Sequence, residues 1–152
     1  MTILITGVAG FIGSHLASKM LSQNFNVLGI DNLNNYYSVN LKKYRLKQLN
    51  KFKNFTFIKA DLSKATNLEK VIKKKKLSVI CHLAAQAGVR YSIENPETYF
   101  KNNLSVFFNI LETCKKNNIN HLIFASTSSV YGENFNFPIK ESEETSKPLS
   151  FY

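Results

Sequence analysis

Apolar, β-rich runs alternate along the chain with longer segments whose apolar positions recur at helical spacing. That alternation predicts an α/β fold built on a parallel sheet, its strands buried on both faces under covering helices. Strands are expected at Thr2–Thr6, Asn26–Asp31, Thr56–Ala60, Ser78–Leu83 and His121–Ser126. Between them, Phe11–Gln23 carries Ile12, Leu16 and Met20 on one face, and Leu41–Leu49, Leu68–Lys75 and Pro96–Asn117 also read as helices. Each strand–helix–strand step is then a right-handed crossover, which gives a doubly wound sheet of the Rossmann type with helices on both faces. Pro96 suits the first turn of the last helix, where a missing N–H has no intrahelical partner to lose. That helix is expected to run unbroken for about six turns. After Ser129 the period is lost, and Pro138, Glu141, Glu143, Glu144 and Pro148 mark a loop that continues to the end.

With 152 residues the chain has material for one domain, and its 44% hydrophobic content is ordinary for a globular protein. No apolar run approaches the roughly 20 residues needed to span a bilayer, so no membrane association is expected. Met1 leads straight into an apolar strand without a basic n-region, an h-region or a cleavage site, which places the expected protein in the cytoplasm. Cys81 and Cys114 have no metal-ligand spacing around them and read as buried thiols, and no metal site is predicted. The formal charge of +10 raises nucleic acid as a partner. Its densest run, Lys73 to Lys76, instead closes a helical segment, where cations oppose the C-terminal dipole. No basic stripe interleaved with aromatics is present, so nucleic acid is not an expected partner.

Candidate chemistry begins at Thr6-Gly7-Val8-Ala9-Gly10-Phe11-Ile12-Gly13, which follows the first strand and opens the first helix. Gly7, Gly10 and Gly13 allow a tight turn and a close approach to a pyrophosphate, with the amides at Phe11 and Ile12 among those presented at the helix N-terminus. The plain alternative is a glycine-rich turn that packs a helix on a sheet. Asp31 ends the second strand, where a carboxylate can accept from ribose hydroxyls and repel a 2′-phosphate, favouring NAD over NADP.

Asp31-Asn32-Leu33-Asn34-Asn35-Tyr36-Tyr37, followed by Leu41-Lys42-Lys43 and Arg45-Leu46, resembles the extended short-chain dehydrogenase/reductases of the NAD-dependent epimerase/dehydratase family. The segment is more similar to UDP-glucuronate 4-epimerases than to UDP-galactose epimerases. The resemblance runs over essentially the whole chain but less than half of a family member, so the C-terminal part of the family fold is expected to be missing. It implies NAD as cofactor, with Asn32 beside Asp31 at the ribose and Asp61-Leu62 at the adenine. Leu83, Ala84, Ala85 and Gln86 would lie along the nicotinamide half, with Ser126 also at the cofactor. Asn102 and Asn103 would tie the following helix to that loop, with Asn102 also at the cofactor. His82 reads as a packing residue at a strand end.

Ser126-Thr127-Ser128-Ser129-Val130-Tyr131-Gly132 ends the fifth strand at the carboxyl edge, where doubly wound sheets place their sites. The resemblance implies that Thr127 bonds the sugar's 4-oxygen and that Ser128 and Ser129 hold a substrate carboxylate. Local turn chemistry of Ser and Thr is the alternative. Related 4,6-dehydratases carry an Asp-Glu pair where Ser128-Ser129 stands, so water elimination would lack its acid and base and epimerisation is implied. Arg90 is open between an acidic-sugar or phosphate ligand and a surface cation.

As the resemblance implies, Tyr152 would take the proton of the sugar's 4-hydroxyl while NAD transiently oxidises C4 and returns the hydride to the other face. UDP-glucuronate would become UDP-galacturonate in this way. Other extended family members remain alternatives: a UDP-N-acetylhexosamine epimerase, a dTDP-sugar dehydratase or reductase, or a non-catalytic NAD-binding remnant. Pro148-Leu149-Ser150-Phe151-Tyr152 matches the approach to a Tyr-x-x-x-Lys motif, but no lysine follows, and this chain alone is expected not to epimerise. Family members dimerise through the helix corresponding to Pro96–Asn117, so a half-bare apolar seam and an open strand edge predict self-association.

Overall fold

The computed structural model describes residues 1–72, 75–133 and 137–152. Five parallel strands, β1 Thr2–Thr6, β2 Asn26–Asp31, β3 Phe55–Lys59, β4 Val79–His82 and β5 Leu122–Phe124, form one sheet in the order β3-β2-β1-β4-β5. The helices are α1 Phe11–Ser22, α2 Val39–Leu49, α3 Ala65–Ile72, α4 Val89–Glu94, α5 Pro96–Tyr99 and α6 Val106–Lys116. Strand order runs outward in both directions from β1, so the carboxyl ends of β1 and β4 flank the crevice where doubly wound sheets bind ligands.

The two-residue period of a strand builds a core on each face of the sheet. Ile3 and Ile5 of β1 pack with Val27, with Ala17 and Leu21 of α1, and with Leu46 and Leu49 of α2. Leu4 points the other way, into Leu28, Ile30 and Ile80, covered by Leu68 and Ile72 of α3 and by Val106 and Ile110 of α6. β2 has a gap in its pattern at Gly29, on the α1 and α2 side. A Cβ there would lie 2.8 Å from Val8 Cγ1 and 2.9 Å from Phe55 Cε2, so those two side chains already fill the space.

Several boundaries differ from expectation. β3 begins one residue earlier, at Phe55, and β4 is confined to Val79–His82. β5 is a three-residue strand rather than His121–Ser126, although Ala125 N still donates to His82 O at 3.2 Å. α2 starts ahead of Leu41 because the Ser38 hydroxyl accepts from Leu41 N and caps the helix. α3 spans Ala65–Ile72, and Lys73 and Lys74 of the expected basic helix end lie outside the described residues.

The expected unbroken Pro96–Asn117 helix is instead α5, a wide π turn over Phe100–Ser105, and then α6. Such a turn inserts an extra residue and re-aims side chains, a device common at functional sites. Here it carries Asn102 and Asn103. α4 has no counterpart among the expected helices, and a short 3₁₀ turn at Ser128–Tyr131 follows the fifth strand.

Phe100, Leu104, Phe108 and Leu111 recur along the π turn and α6 and are all exposed, as are Ile123 and Phe124 of β5. Among the described residues no helix is long and apolar enough to cross a membrane.

The packing around Gly29 yields a stability prediction. Gly29→Ala should cost about 1–3 kcal/mol, the usual penalty for overfilling a tight core. Val8→Ala in the same chain should relieve part of that cost. A urea-unfolding double-mutant cycle with simply additive effects would contradict this reading.

Candidate functional site

The turn after β1 is shaped by what its glycines lack. Gly7 has φ +68°, and a Cβ on it would come within 2.9 Å of Ala84 N and Leu83 O in the segment after β4. A Cβ on Gly13 would run into the Gly7 carbonyl oxygen, and one on Gly10 would sit 3.0 Å from it. α1 therefore starts hard against the turn, with Gly10 as a cap residue that has no side chain to bond the first amides. Those amides point out of the helix N-terminus without an intrahelical partner, which makes the turn a cradle for an anion. The side chains of Phe11 and Ile12 are exposed, so their contribution to such a cradle is through backbone N–H groups.

Asp31, at the end of β2, forms the neighbouring wall. Its Oδ2 accepts from Ala9 N at 3.1 Å and its Oδ1 from Leu33 N at 2.8 Å, which fixes the carboxylate beside the turn. Across β2, Asp61 accepts from Ser63 N at 3.0 Å. Burial pushes the Asp61 carboxyl up, but the bonds from Ser63 and the charges of Lys101 and Lys64 outweigh it and hold it below its usual value.

Between these walls lies a cavity of about 230 Å³ at the carboxyl edge of the sheet. It brings together the expected cofactor residues Gly7, Gly10, Asp31, Asn32, Asp61 and Leu62 from one side. Leu83, Ala84, Ala85, Gln86 and Asn102 line it from the other.

The far wall is pinned to β1 by one hydroxyl. Thr6 is in register with His82, and Thr6 Oγ1 accepts from Leu83 N and Ala84 N, both at 3.1 Å. With both lone pairs used, its proton goes to His82 Nδ1 at 2.7 Å, so that nitrogen must be unprotonated and the ring is the neutral Nε2–H tautomer. Burial lowers the His82 pKa to about 4, and the ring stacks on Phe107 at 6.0 Å. His82 is a packing and bonding residue, as the sequence suggested. The next tie comes from Asn103, whose Oδ1 accepts from Gln86 N at 2.7 Å and whose Nδ2 donates to Gln86 O at 3.0 Å. Asn102, expected both at the cofactor and in that tie, lines the cavity. Tyr99 is 1% exposed, and its hydroxyl donates towards the carbonyls of Ala87 and Gly88.

The residues expected at the sugar, and Ser126, which was expected at the cofactor, are placed differently. Ser126 and Ser128 are exposed, Ser129 is half-buried, and Arg90 is exposed on α4; none lines the cavity. Thr127 Oγ1 accepts from Ser129 N at 3.2 Å as the cap of the 3₁₀ turn, which is the local turn chemistry held open from the sequence. That bond leaves the Thr127 proton to be donated elsewhere. Tyr152 meets Tyr99 edge-on, with ring centroids 5.7 Å apart, one aromatic contact from the Ala87–Gly88 carbonyls.

Sequence reasoning missed Lys42, Tyr36 and Tyr37, which also line the cavity. Lys42 is buried, and its Nζ donates to Asn34 O at 2.8 Å and Asn34 Oδ1 at 2.7 Å. Burial lowers its pKa, partly opposed by Asp31 and reinforced by Arg45. A signal was present: Lys42 shares the buried face of α2 with Leu46 and Leu49, so a charge stands where the helical period calls for an apolar residue.

Strand order, cradle and flanking carboxylate define the Rossmann-type α/β class with an anion-binding turn at the switch point of the sheet. The chain belongs to the family described as GDP-mannose 4,6 dehydratase, whose model matches residues 4–152. It is 53% identical over 152 residues to Protein CapI of Staphylococcus aureus, covering 100% of this chain and 45% of that protein. It superimposes with a TM-score of 0.89 and 38% identity on UDP-glucuronic acid 4-epimerase from Bacillus cereus in complex with UDP-glucuronic acid and NAD, over 99% of this chain and 47% of that one. The UDP-Glc/GlcNAc 4-epimerase of Campylobacter jejuni matches with the same TM-score at 32% identity, over 99% and 44%. The chain thus spans less than half the length of the proteins it matches here.

His82 gives the site a measurable pH signature. Its folded pKa lies below the ordinary 6.5, so the stabilising effect of keeping it neutral is fully present above about pH 6.5 and is lost as pH falls through about 4. The loss amounts to roughly 3 kcal/mol at 1.36 kcal/mol per pKa unit. His82→Asn keeps an acceptor for Thr6 and does not titrate, so urea unfolding should show the parent losing that much more stability than the variant between pH 7 and 4. A parent–variant difference that stays constant with pH would contradict the neutral tautomer.

Proposed function

We propose that this chain forms the NAD-binding part of a nucleotide-sugar 4-epimerase that interconverts UDP-glucuronate and UDP-galacturonate. The observation that carries this reading is the side-chain-free cradle after β1 opening into the same cavity as Asp31, Asp61 and the segment after β4. When bound, NAD supplies the oxidation and re-reduction of the sugar's C4. The amides at Phe11, Ile12 and Gly13 hold its diphosphate through the helix N-terminus, while Gly10, whose own N–H donates to Gly7 O at 2.9 Å, keeps the approach free of side chains. Asp31, with a second lone pair on each oxygen, accepts from the adenosine ribose hydroxyls beside Asn32, and Asp61 with Leu62 flanks the adenine. Leu83, Ala84, Ala85, Gln86, Asn102 and Ser126 border the nicotinamide half.

At the sugar, the Thr127 hydroxyl donates to the 4-oxygen while its own oxygen is anchored by Ser129 N. Tyr152 accepts the proton of the 4-hydroxyl. Ser128, Ser129 and Arg90 recognise the carboxylate, since hydroxyl donors and a planar cation suit an anion where two carboxyls would repel it. The likeness to the Campylobacter jejuni enzyme equals that to the Bacillus cereus enzyme in TM-score, so the backbone does not select the sugar. The selection of a glucuronate rests on these side chains.

Calorimetric titration should show NAD binding to the chain and NADP binding at least about tenfold more weakly, because a 2′-phosphate faces Asp31. Gly13→Ala should abolish the NAD heat, and a folded parent that gives no heat with NAD would sink the assignment. In the epimerase reaction of a full-length protein that carries this chain as its N-terminal part, Thr127→Ala should lower kcat on UDP-glucuronate about 10- to 100-fold by removing one oxygen-directed donor. An unchanged kcat would remove Thr127 from the reacting centre.

A further inference from the structure

Apart from Asp31, the residues that hold the anion-binding turn from behind have no place in the proposed contacts to NAD. Ala9, the residue before Gly10, is completely buried. Its N–H donates to Asp31 Oδ2 at 3.1 Å, while its carbonyl accepts from Arg45 Nη1 at 3.3 Å and from the Tyr37 hydroxyl at 3.5 Å. Arg45 Nη1 also donates to the Tyr37 hydroxyl at 3.2 Å. The two opposite charges, Asp31 and Arg45, therefore meet through the two peptide groups of Ala9.

The clamp has its own supports. Lys42 Nζ stands 4.2 Å from the centre of the Tyr37 ring and fixes that ring from α2. The Arg45 guanidinium carbon lies 5.8 Å from the Phe11 ring centre and 6.0 Å from that of Tyr37, between the residue that opens α1 and the residue that reaches Ala9. Phe11 is 67% exposed, so this arrangement buries little apolar surface. What it fixes is the orientation of the backbone leading into Gly10.

We infer that Arg45 is a positioning residue for the diphosphate-binding turn. It acts through the Ala9 carbonyl and the Tyr37 hydroxyl to hold the amides of residues 11–13 in the orientation an anion needs before it arrives. Preorganised donors lose no free energy to ordering when the ligand binds, so the effect belongs to phosphate-bearing ligands and not to the nucleoside. Both acceptors are served by one guanidinium nitrogen, so a lysine ammonium with three donors can replace it in part, without the planar group that lies beside the Phe11 and Tyr37 rings. This inference rests on the NAD-binding reading.

The test compares ligands with and without phosphate on the same chain. NAD and ADP are titrated by calorimetry and adenosine by NMR, against the parent, Arg45→Met, Arg45→Lys and Tyr37→Phe, with urea midpoints measured alongside. Arg45→Met keeps the aliphatic stem and removes the fork. It should weaken NAD and ADP about tenfold, the size of one lost charge-assisted hydrogen bond, and leave adenosine within about twofold. Arg45→Lys should recover part of the loss, and Tyr37→Phe should show a smaller one. If Arg45→Met does not fold, the lysine and phenylalanine variants carry the same comparison.

Unchanged affinity for NAD and ADP in the variants would overturn the inference while leaving the cofactor reading intact. So would a loss for adenosine in proportion to that for ADP, which would mark a merely structural role. A parent that binds neither NAD nor ADP would overturn both.

Discussion

The structure turns on a steric constraint: three peptide segments converge where β1 ends, and there is room for backbone only. The Gly7 carbonyl lies where a Gly13 side chain would have to go, and the Gly7 α-carbon faces Leu83 O and Ala84 N across the same gap. Because the turn, the start of α1 and the exit of β4 share this point, none can move without displacing the others. The same crowding that excludes side chains aims the first amides of α1 at the cavity. An anion site here follows from how the helix is packed on the sheet.

A constraint of that kind needs a polar framework, since three converging backbones bring donors and acceptors away from water. Thr6 satisfies two amides of the β4 exit and is itself fixed by a neutral His82, while Asn103 completes Gln86 in both directions. Among the described residues no buried side-chain nitrogen or oxygen lacks a hydrogen-bond partner. Full satisfaction lets such a network hold one geometry, because an unpaired member would cost about 1–3 kcal/mol and favour rearrangement.

Much of this was legible in the residues, and the limits have physical causes. The strands were readable because central parallel strands are apolar on both faces, as Ile3, Leu4 and Ile5 are; β5, at the sheet edge, lacks that burial and came out shorter. The glycine turn and Asp31 were readable because their spacing follows from local geometry. The π turn was not, because an extra residue leaves the apolar period of α6 intact and shows only in the side chains it re-aims, Asn102 and Asn103. Nor was the Arg45 clamp, since its partners are a backbone carbonyl and a tyrosine hydroxyl brought close only by folding.

The two ends of the proposed site are built in different ways, and this bears on how selectivity is distributed. The cofactor end is made of strand termini and buried polar ties, so a substitution there acts on folding and on binding together. The Thr127–Ser129 end is a single 3₁₀ turn after a short edge strand, partly exposed, with one local bond at Thr127. Side chains at Ser128 and Ser129 can therefore change with little consequence for the sheet. Family members can then share one backbone and one cofactor while differing in the sugar they accept. The equal TM-scores to two epimerases described with different sugars fit that division, in which the sheet and its cradle stay constant while the exposed turn is free to vary.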